Sequence, residues 1–177
     1  MNSHYKNLDF SGLWLGFLVL FCAGCVSDPG IKQAGDWQME RRLGSQQSAC
    51  ALASSGQPFA TALGVDSVFI VLQDDGLVSL RTNSGDFASA ALEQMGIRVD
   101  QQGPVLGPQR GSTTKAVVFS SAATDKLIEQ FATGKHARVY VVLAPDKEVL
   151  HALYSLRGFK EAYKQYNLCR AVASSSR

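Results

Sequence analysis

Short runs of strand-forming residues, each closed by residues that favour turns, recur along most of this chain of 177 residues. Val68–Leu72 is a continuous apolar run, and Leu77–Thr82 alternates apolar with polar residues. Asp75 and Gly76 lie between the two runs. Because an Asp-Gly pair between two such runs is a strong hairpin signal, we predict an antiparallel pair here. This feature commits the middle of the chain to antiparallel β structure.

A second hairpin is predicted closer to the C-terminus. It joins two strand-like runs, which cover residues 138–143 and 149–155. Counting back from its turn places His151 opposite Tyr140 and brings His136 near Ser155, since paired strand residues keep a fixed register. The two imidazoles are then separated along the strands, so they are not expected to bind a metal ion together.

The remaining turn-bounded runs predict a mainly β domain. Further strands are expected at 37–43, 49–53, 97–100 and 116–119, and helices at 124–133 and from Phe159 to Tyr166. Asp125 is placed in the first turn of the earlier helix, and Gly134 just after its end. Residues 84–95 fit a helix or an irregular crossover. We therefore predict an antiparallel β-sandwich or a partly open barrel with two or three short helices, the last one C-terminal.

The N-terminus has the layout of an export signal. Leu13–Ala23 is eleven residues without a charge, preceded by a mostly polar start that carries Lys6, and Ala23-Gly24 leads directly into Cys25. An apolar stretch of this length followed by small residues is typical of a secretory signal. The small residues before a cysteine resemble the lipobox of bacterial lipoproteins, which implies removal of residues 1–24 and lipidation of Cys25.

Two other interpretations of this segment stay open, namely a cleaved signal without lipid and an uncleaved anchor. An anchor needs roughly 17 to 25 apolar residues, and the window from Phe10 to Val26 reaches that length only by including Ser11 and several glycines. Val26 after the cysteine, by resemblance to Gram-negative lipoproteins, favours the outer membrane. We expect a lipidated tether over 25–35, one globular domain over 36–170 and a flexible tail over 171–177.

The cysteine count suggests one disulfide. Cys22 leaves with the signal and Cys25 carries lipid, so the mature chain keeps Cys50 and Cys169. An even number of cysteines in an oxidising compartment favours a bridge. The bridge would join the last helix to an early strand, and two separately buried, reduced thiols are the alternative.

From Gly96 onward the order of elements is similar to that of the invasion-associated locus B family of bacterial envelope proteins, particularly at Ser155-Leu156-Arg157-Gly158-Phe159. The strand at Trp37 followed by Cys50 also fits that family. The resemblance implies a secreted or envelope-located, sandwich-like, non-catalytic domain, linked in some pathogens to entry into host cells. It provides no active-site residues.

Composition and motifs argue against nucleic-acid binding and against catalysis. The 17 Lys and Arg against 15 Asp and Glu give a formal charge of +2, which argues against nucleic acid as a partner. No GxSxG motif marks a nucleophile, and Asp74-Asp75 reads as part of a turn. We therefore expect no enzyme activity, no cofactor, no metal site and no small-molecule substrate.

One charged feature stands out at the C-terminal helix, where Arg157, Lys160, Lys164 and Arg170 accompany a single Glu161. Lys160 and Lys164 are four residues apart and share a helix face. Such a face suits anionic headgroups or an acidic partner, or is simply a solvated surface.

Together these observations predict a lipid-anchored envelope protein. We expect it to face the periplasm from the outer membrane and to act by binding, as an accessory or adaptor of an envelope or secretion assembly. A surface-exposed host-interaction factor and an envelope hydrolase are the alternatives.

Overall fold

The computed structural model describes residues 31–43, 48–59, 67–84, 87, 92–107, 116–143 and 147–175. These residues form two antiparallel sheets and two helices. Both sheets remain open and pack face to face over a shared core in the described part of the chain, so the predicted mainly β, antiparallel sandwich with a C-terminal helix is confirmed. The predicted signal and Cys25 lie outside the described residues.

The first sheet has seven strands in the order β1-β2-β3-β5-β6-β9, with β4 paired to β5. Its strands are β1 (Ile31–Ala34), β2 (Trp37–Leu43), β3 (Ser48–Ser54), β4 (Gln57–Pro58), β5 (Ser67–Leu72), β6 (Val78–Thr82) and β9 (Ala116–Val118). The predicted first hairpin is β5–β6, with Leu72 opposite Val78. Gly76 in its turn has φ +86°, a conformation that glycine adopts without steric cost.

The second sheet has four strands in the order β11-β10-β7-β8. Its strands are β7 (Leu92–Val99), β8 (Val105–Leu106), β10 (His136–Leu143) and β11 (Glu148–Ser155). The predicted second hairpin is β10–β11, and its predicted register is confirmed, with Tyr140 opposite His151 and His136 opposite Ser155.

Two helices complete the fold. Helix α1 (Ser121–Thr133) begins after Ser120, whose side chain accepts a hydrogen bond from the main-chain N–H of Ala123, and it ends before Gly134. Helix α2 covers Phe159–Ser175. Because α1 starts earlier than predicted, Asp125 lies beyond its first turn, and that part of the prediction was wrong.

The core combines aliphatic side chains from both sheets with an aromatic cluster beneath the helices. Trp37, Phe131 and Phe159 are buried and contact one another, with ring centroids 4.8 to 6.0 Å apart. Each residue comes from a different element, since Trp37 starts β2, Phe131 lies in the last turn of α1 and Phe159 starts α2. The cluster therefore holds both helices against the first sheet.

Three predicted boundaries require correction. Ile31–Ala34 pairs with β2 as a strand, so the folded domain begins inside the segment predicted as a tether. Helix α2 continues to Ser175, through most of the predicted tail. Residues 92–95, predicted as helix or crossover, open strand β7, which pairs with β10 along its length.

Candidate functional site

A disulfide joins Cys50 in β3 to Cys169 in α2, as predicted. The sulfur atoms are 2.04 Å apart, the Cα atoms are 6.1 Å apart, and 119 positions separate the two residues in sequence. The main-chain N–H of Cys50 donates to the carboxylate of Asp74 at 3.1 Å. The bridge therefore fixes the last turns of α2 beside the turn between β5 and β6.

Tyr166 and Arg170 also hold α2 against the turn between β5 and β6. The Tyr166 hydroxyl donates to the main-chain oxygen of Gln73, and burial raises the pKa of Tyr166 to about 12. The guanidinium of Arg170 lies 5.5 Å from the centre of the Tyr166 ring. A Cβ on Gly76 would approach an Arg170 nitrogen to 2.8 Å, so Arg170 packs directly on the β5–β6 turn.

The four cations predicted as one basic face therefore separate. Arg157 precedes α2 and pairs with Asp36 at 3.3 Å, while Arg170 turns toward Tyr166. Lys160 and Lys164 remain exposed on the outer side of α2 and form no ion pair within the described ranges. The predicted interaction face is thus reduced to two lysines.

The segment that carries the family resemblance, residues 155–159, is a junction between the sheets and α2. Leu156 is buried and its N–H donates to the main-chain oxygen of Lys135. Gly158 has φ +87°, and a Cβ there would lie 2.2 Å from the main-chain oxygen of Ala34. The turn between β1 and β2 therefore packs backbone to backbone against the start of α2, which a larger residue would prevent.

Beside this junction, the edge of β11 and the strands β3 and β4 enclose a cleft of about 320 Å³. Its lining combines polar and apolar surface and comprises Asp36, Ser54, Ser55, Gln57, His136, Leu153, Tyr154 and Ser155. Sequence reasoning placed His136 near Ser155 but missed the cleft, because Asp36 and the serines of β3 come from distant parts of the chain. No local sequence pattern predicts that these residues come together in one cleft.

Hydrogen bonds already occupy the polar groups in and next to this cleft. The Ser155 hydroxyl accepts a hydrogen bond from the Arg157 N–H at 3.2 Å, and the Arg157 guanidinium donates to the carboxylate of Asp36 at 3.3 Å. The neighbouring Ser155 side chain is the main cause that lowers the pKa of Asp36. His136 Nδ1 lies 4.0 Å from the carboxylate of Asp100. Asp100 accepts main-chain hydrogen bonds from Lys135 and His136, which lower its pKa. The hydrogen bonds of Arg157 thus join the end of β11 to the turn between β1 and β2.

In the described part of the chain, no group of three or more His, Cys, Asp or Glu side chains could hold a metal ion. None of the helices described is long and apolar enough to cross a bilayer.

The chain matches no family model and no curated protein. Among solved structures, it is similar to the crystal structure of invasion associated protein B from Bartonella henselae, with a TM-score of 0.53 and 18% sequence identity. The similarity covers 80% of this chain and 97% of that one. The resemblance noted at residues 155–159 is therefore supported at the level of architecture, and the chain shares the fold of that invasion-associated protein.

Proposed function

We propose that this protein is a lipid-anchored component of the bacterial cell envelope that acts by binding, as an accessory or adaptor subunit of an envelope or secretion assembly. The observation that carries the proposal is the uncharged segment Leu13–Ala23 followed by Ala23-Gly24-Cys25. A diacylglycerol on that thiol, with further acylation, would give durable attachment, because stable anchoring takes more than one acyl chain.

The disulfide supports export to an oxidising compartment. Structural disulfides form and persist in secreted and periplasmic proteins and are rare in the cytosol. Cys50 is fully buried, and its bridge to Cys169 joins the sheet to α2. Such a bond fits a protein that folds after crossing the inner membrane.

The hydrogen bonds in and next to the cleft favour a binding role over a catalytic one. Arg157 bonds to both Asp36 and Ser155, and Asp100 accepts hydrogen bonds from main-chain N–H groups. These bonds hold the end of β11 against the β1–β2 turn. We therefore assign the cleft a structural or recognition role.

Labelling of whole cells with radioactive palmitate tests the anchor. We expect label in the wild-type membrane fraction and none in Cys25→Ala. Cys22→Ala is the matched control, since Cys22 lies in the same segment but would leave with the signal. Equal label in wild type and Cys25→Ala, or a mature N-terminus at Met1, would refute lipidation.

Crosslinking in intact envelopes tests the accessory role. We expect affinity purification to recover a defined envelope partner with the wild-type protein. Recovery of the bait alone, at several crosslinker lengths, would count against a subunit role.

The second candidate is a host-interaction factor on the cell surface, favoured by the shared fold with a protein described as invasion associated. Protease treatment of intact cells separates the two candidates. Cleavage in intact cells supports the surface role, whereas cleavage only after the outer membrane is opened supports the periplasmic one.

A further inference from the structure

The outward face of the second sheet carries cations and apolar side chains together, and it meets the cleft only at Leu153. Strand pairing defines its rows. One row places Arg98, Arg138 and Leu153 side by side, and the next places Leu106, Gly96, Tyr140 and His151 side by side. We call these seven residues the outer sheet face.

The two arginines of this face lie directly opposite each other on β7 and β10, and both are exposed. Like charges at directly opposed positions destabilise a sheet, and an anion above them would offset their repulsion. Neither guanidinium forms an ion pair with any residue that the structure describes. The carboxylate of Asp100, just beyond the end of β7, is occupied by the N–H groups of Lys135 and His136. The face is therefore electropositive and open to an external anion.

Apolar groups flank the arginine pair. Leu106 and Leu153 are 50% and 51% exposed, and Val149, further along β11, is 57% exposed. Tyr140 lies across Gly96, where an added Cβ would meet its hydroxyl at 2.7 Å. Burial of part of the ring raises the pKa of Tyr140. Cations, a tyrosine ring and aliphatic side chains on one surface are the combination that binds the headgroup region of a bilayer.

The position of β1 favours a bilayer as the occupant. Strand β1 begins at Ile31, so only residues 26–30 separate Cys25 from the folded domain. Fully extended, that stretch reaches about 20 Å. A lipid on Cys25 would therefore keep the domain within contact range of the headgroups.

We propose that the outer sheet face docks on an anionic, phosphate-rich lipid surface, with Arg98 and Arg138 over the phosphates and Leu106 and Leu153 against the acyl boundary. The short distance to the bilayer rests on the proposed lipid anchor, whereas the charge and apolarity of the face do not. Docking would fix the orientation of the domain relative to the bilayer, in addition to keeping the domain at the membrane surface.

The test uses the purified full-length, naturally processed protein, reconstituted in vesicles that contain brominated phospholipid. Leu153→Trp provides the reporter, read after subtracting the signal of the unsubstituted protein. We expect bromine quenching in phosphatidylglycerol vesicles and little in phosphatidylcholine vesicles. Removing both cations with Arg98→Gln/Arg138→Gln should lower the docked-to-undocked ratio by about 30-fold, since each cation near an anionic surface contributes roughly fivefold and the two factors multiply.

Lys160→Gln/Lys164→Gln is the matched control, because it removes the same charge from the outer side of α2 and should leave the quenching unchanged. Circular dichroism and an intact disulfide establish that each variant is folded. Equal quenching in both lipids, an equal loss with the lysine variant, or burial of the reporter only in native envelopes with their proteins would overturn the proposal.

Mass analysis of the N-terminus distinguishes a failure of the docking proposal from a failure of the proposed lipid anchor. If Cys25 carries no lipid, the proposed anchoring is wrong, and flotation of the same protein with phosphatidylglycerol vesicles still tests the face. Flotation abolished by the arginine variant would support docking, and absence of flotation would refute it.

Discussion

The hydroxyl of Tyr154 donates a hydrogen bond to the main-chain oxygen of Val68 at 2.9 Å. Tyr154 lies on β11 and Val68 on β5, so this bond joins the second sheet to the first through the core. Both residues are buried. A buried hydroxyl with a partner sets how the two sheets are positioned, since any relative slide would leave it unsatisfied.

Removing this hydroxyl should weaken the sandwich. We expect Tyr154→Phe to lower the free energy of unfolding by about 1 kcal/mol, because one buried hydrogen bond is lost. The change is measured by urea unfolding. Tyr163→Phe is the control, since no hydrogen bond of its hydroxyl occurs within the described ranges. An equal effect of both substitutions would contradict the role assigned to Tyr154.

The disulfide should contribute a large part of the stability. Closing a loop of 119 residues removes unfolded-state entropy worth about 5 kcal/mol in the chain-entropy model. We expect Cys50→Ala/Cys169→Ala to lower the free energy of unfolding by up to this amount, measured as a shift of the urea midpoint. The wild-type protein should show the same shift after reduction. A midpoint insensitive to reductant would contradict the prediction.

Asp100 should make stability depend on acidity. Its pKa is lowered in the folded state by main-chain hydrogen bonds from Lys135 and His136, so its contribution is present above the unfolded pKa and is lost as pH falls below about 4. Asp100→Asn should lower stability at neutral pH and flatten the acid part of the urea-midpoint profile. Asparagine is the suitable replacement because Asp100 has φ +45°, which asparagine tolerates.

Asp125→Asn is the control for this profile. Asp125 is an exposed side chain on α1 that accepts no hydrogen bond from the described part of the chain. We expect its profile to overlay that of the wild-type protein. If the urea midpoint of Asp100→Asn still falls steeply at acid pH, groups other than Asp100 cause the loss of stability there.

Gly158 should tolerate no side chain. At φ +87°, with the Ala34 oxygen 2.2 Å from an added Cβ, Gly158→Ala should cost about 1–3 kcal/mol of strain or shift the junction. Thermal unfolding measures the loss. Gly103→Ala is the control, because nothing lies within 4 Å of a Cβ there. Similar melting temperatures for both variants would contradict the close approach.

The sequence predicted those elements whose determinants are local. Both hairpins have turn residues between two strand-like runs, and the register of Tyr140 with His151 follows from counting along the strands. Helix α2 shows its apolar side through Phe159, Ala162 and Tyr166, all buried. The disulfide was predicted from the number of cysteines and from the expected export to an oxidising compartment.

The elements that were missed depend on distant partners. Leu92 and Met95 have helical spacing, yet the segment is a strand because β10 supplies its hydrogen bonds. Gly96, which directly follows this segment, lies opposite Tyr140 in that sheet. Strand β1 is short and partly polar, and it is held by β2 and by the contact between Gly35 and Arg157.

The basic face was predicted from the number of cations near the C-terminal helix, without their angular positions around the helix axis. Ten residues separate Lys160 from Arg170, which amounts to a rotation of about 80° away from the lysine side. That rotation was calculable from the sequence. The attraction of Arg170 to Tyr166 and to the β5–β6 turn was not, because those partners lie far away in the chain.

The bond between Cys50 and Cys169 also imposes an order on biogenesis. When Cys50 is added to the growing chain, 119 further residues must follow before Cys169 is in place. The bond can therefore close only after every strand from β4 to β11 and more than half of α2 have been synthesised. Until then, the Cys50 thiol has no disulfide partner within the described fold.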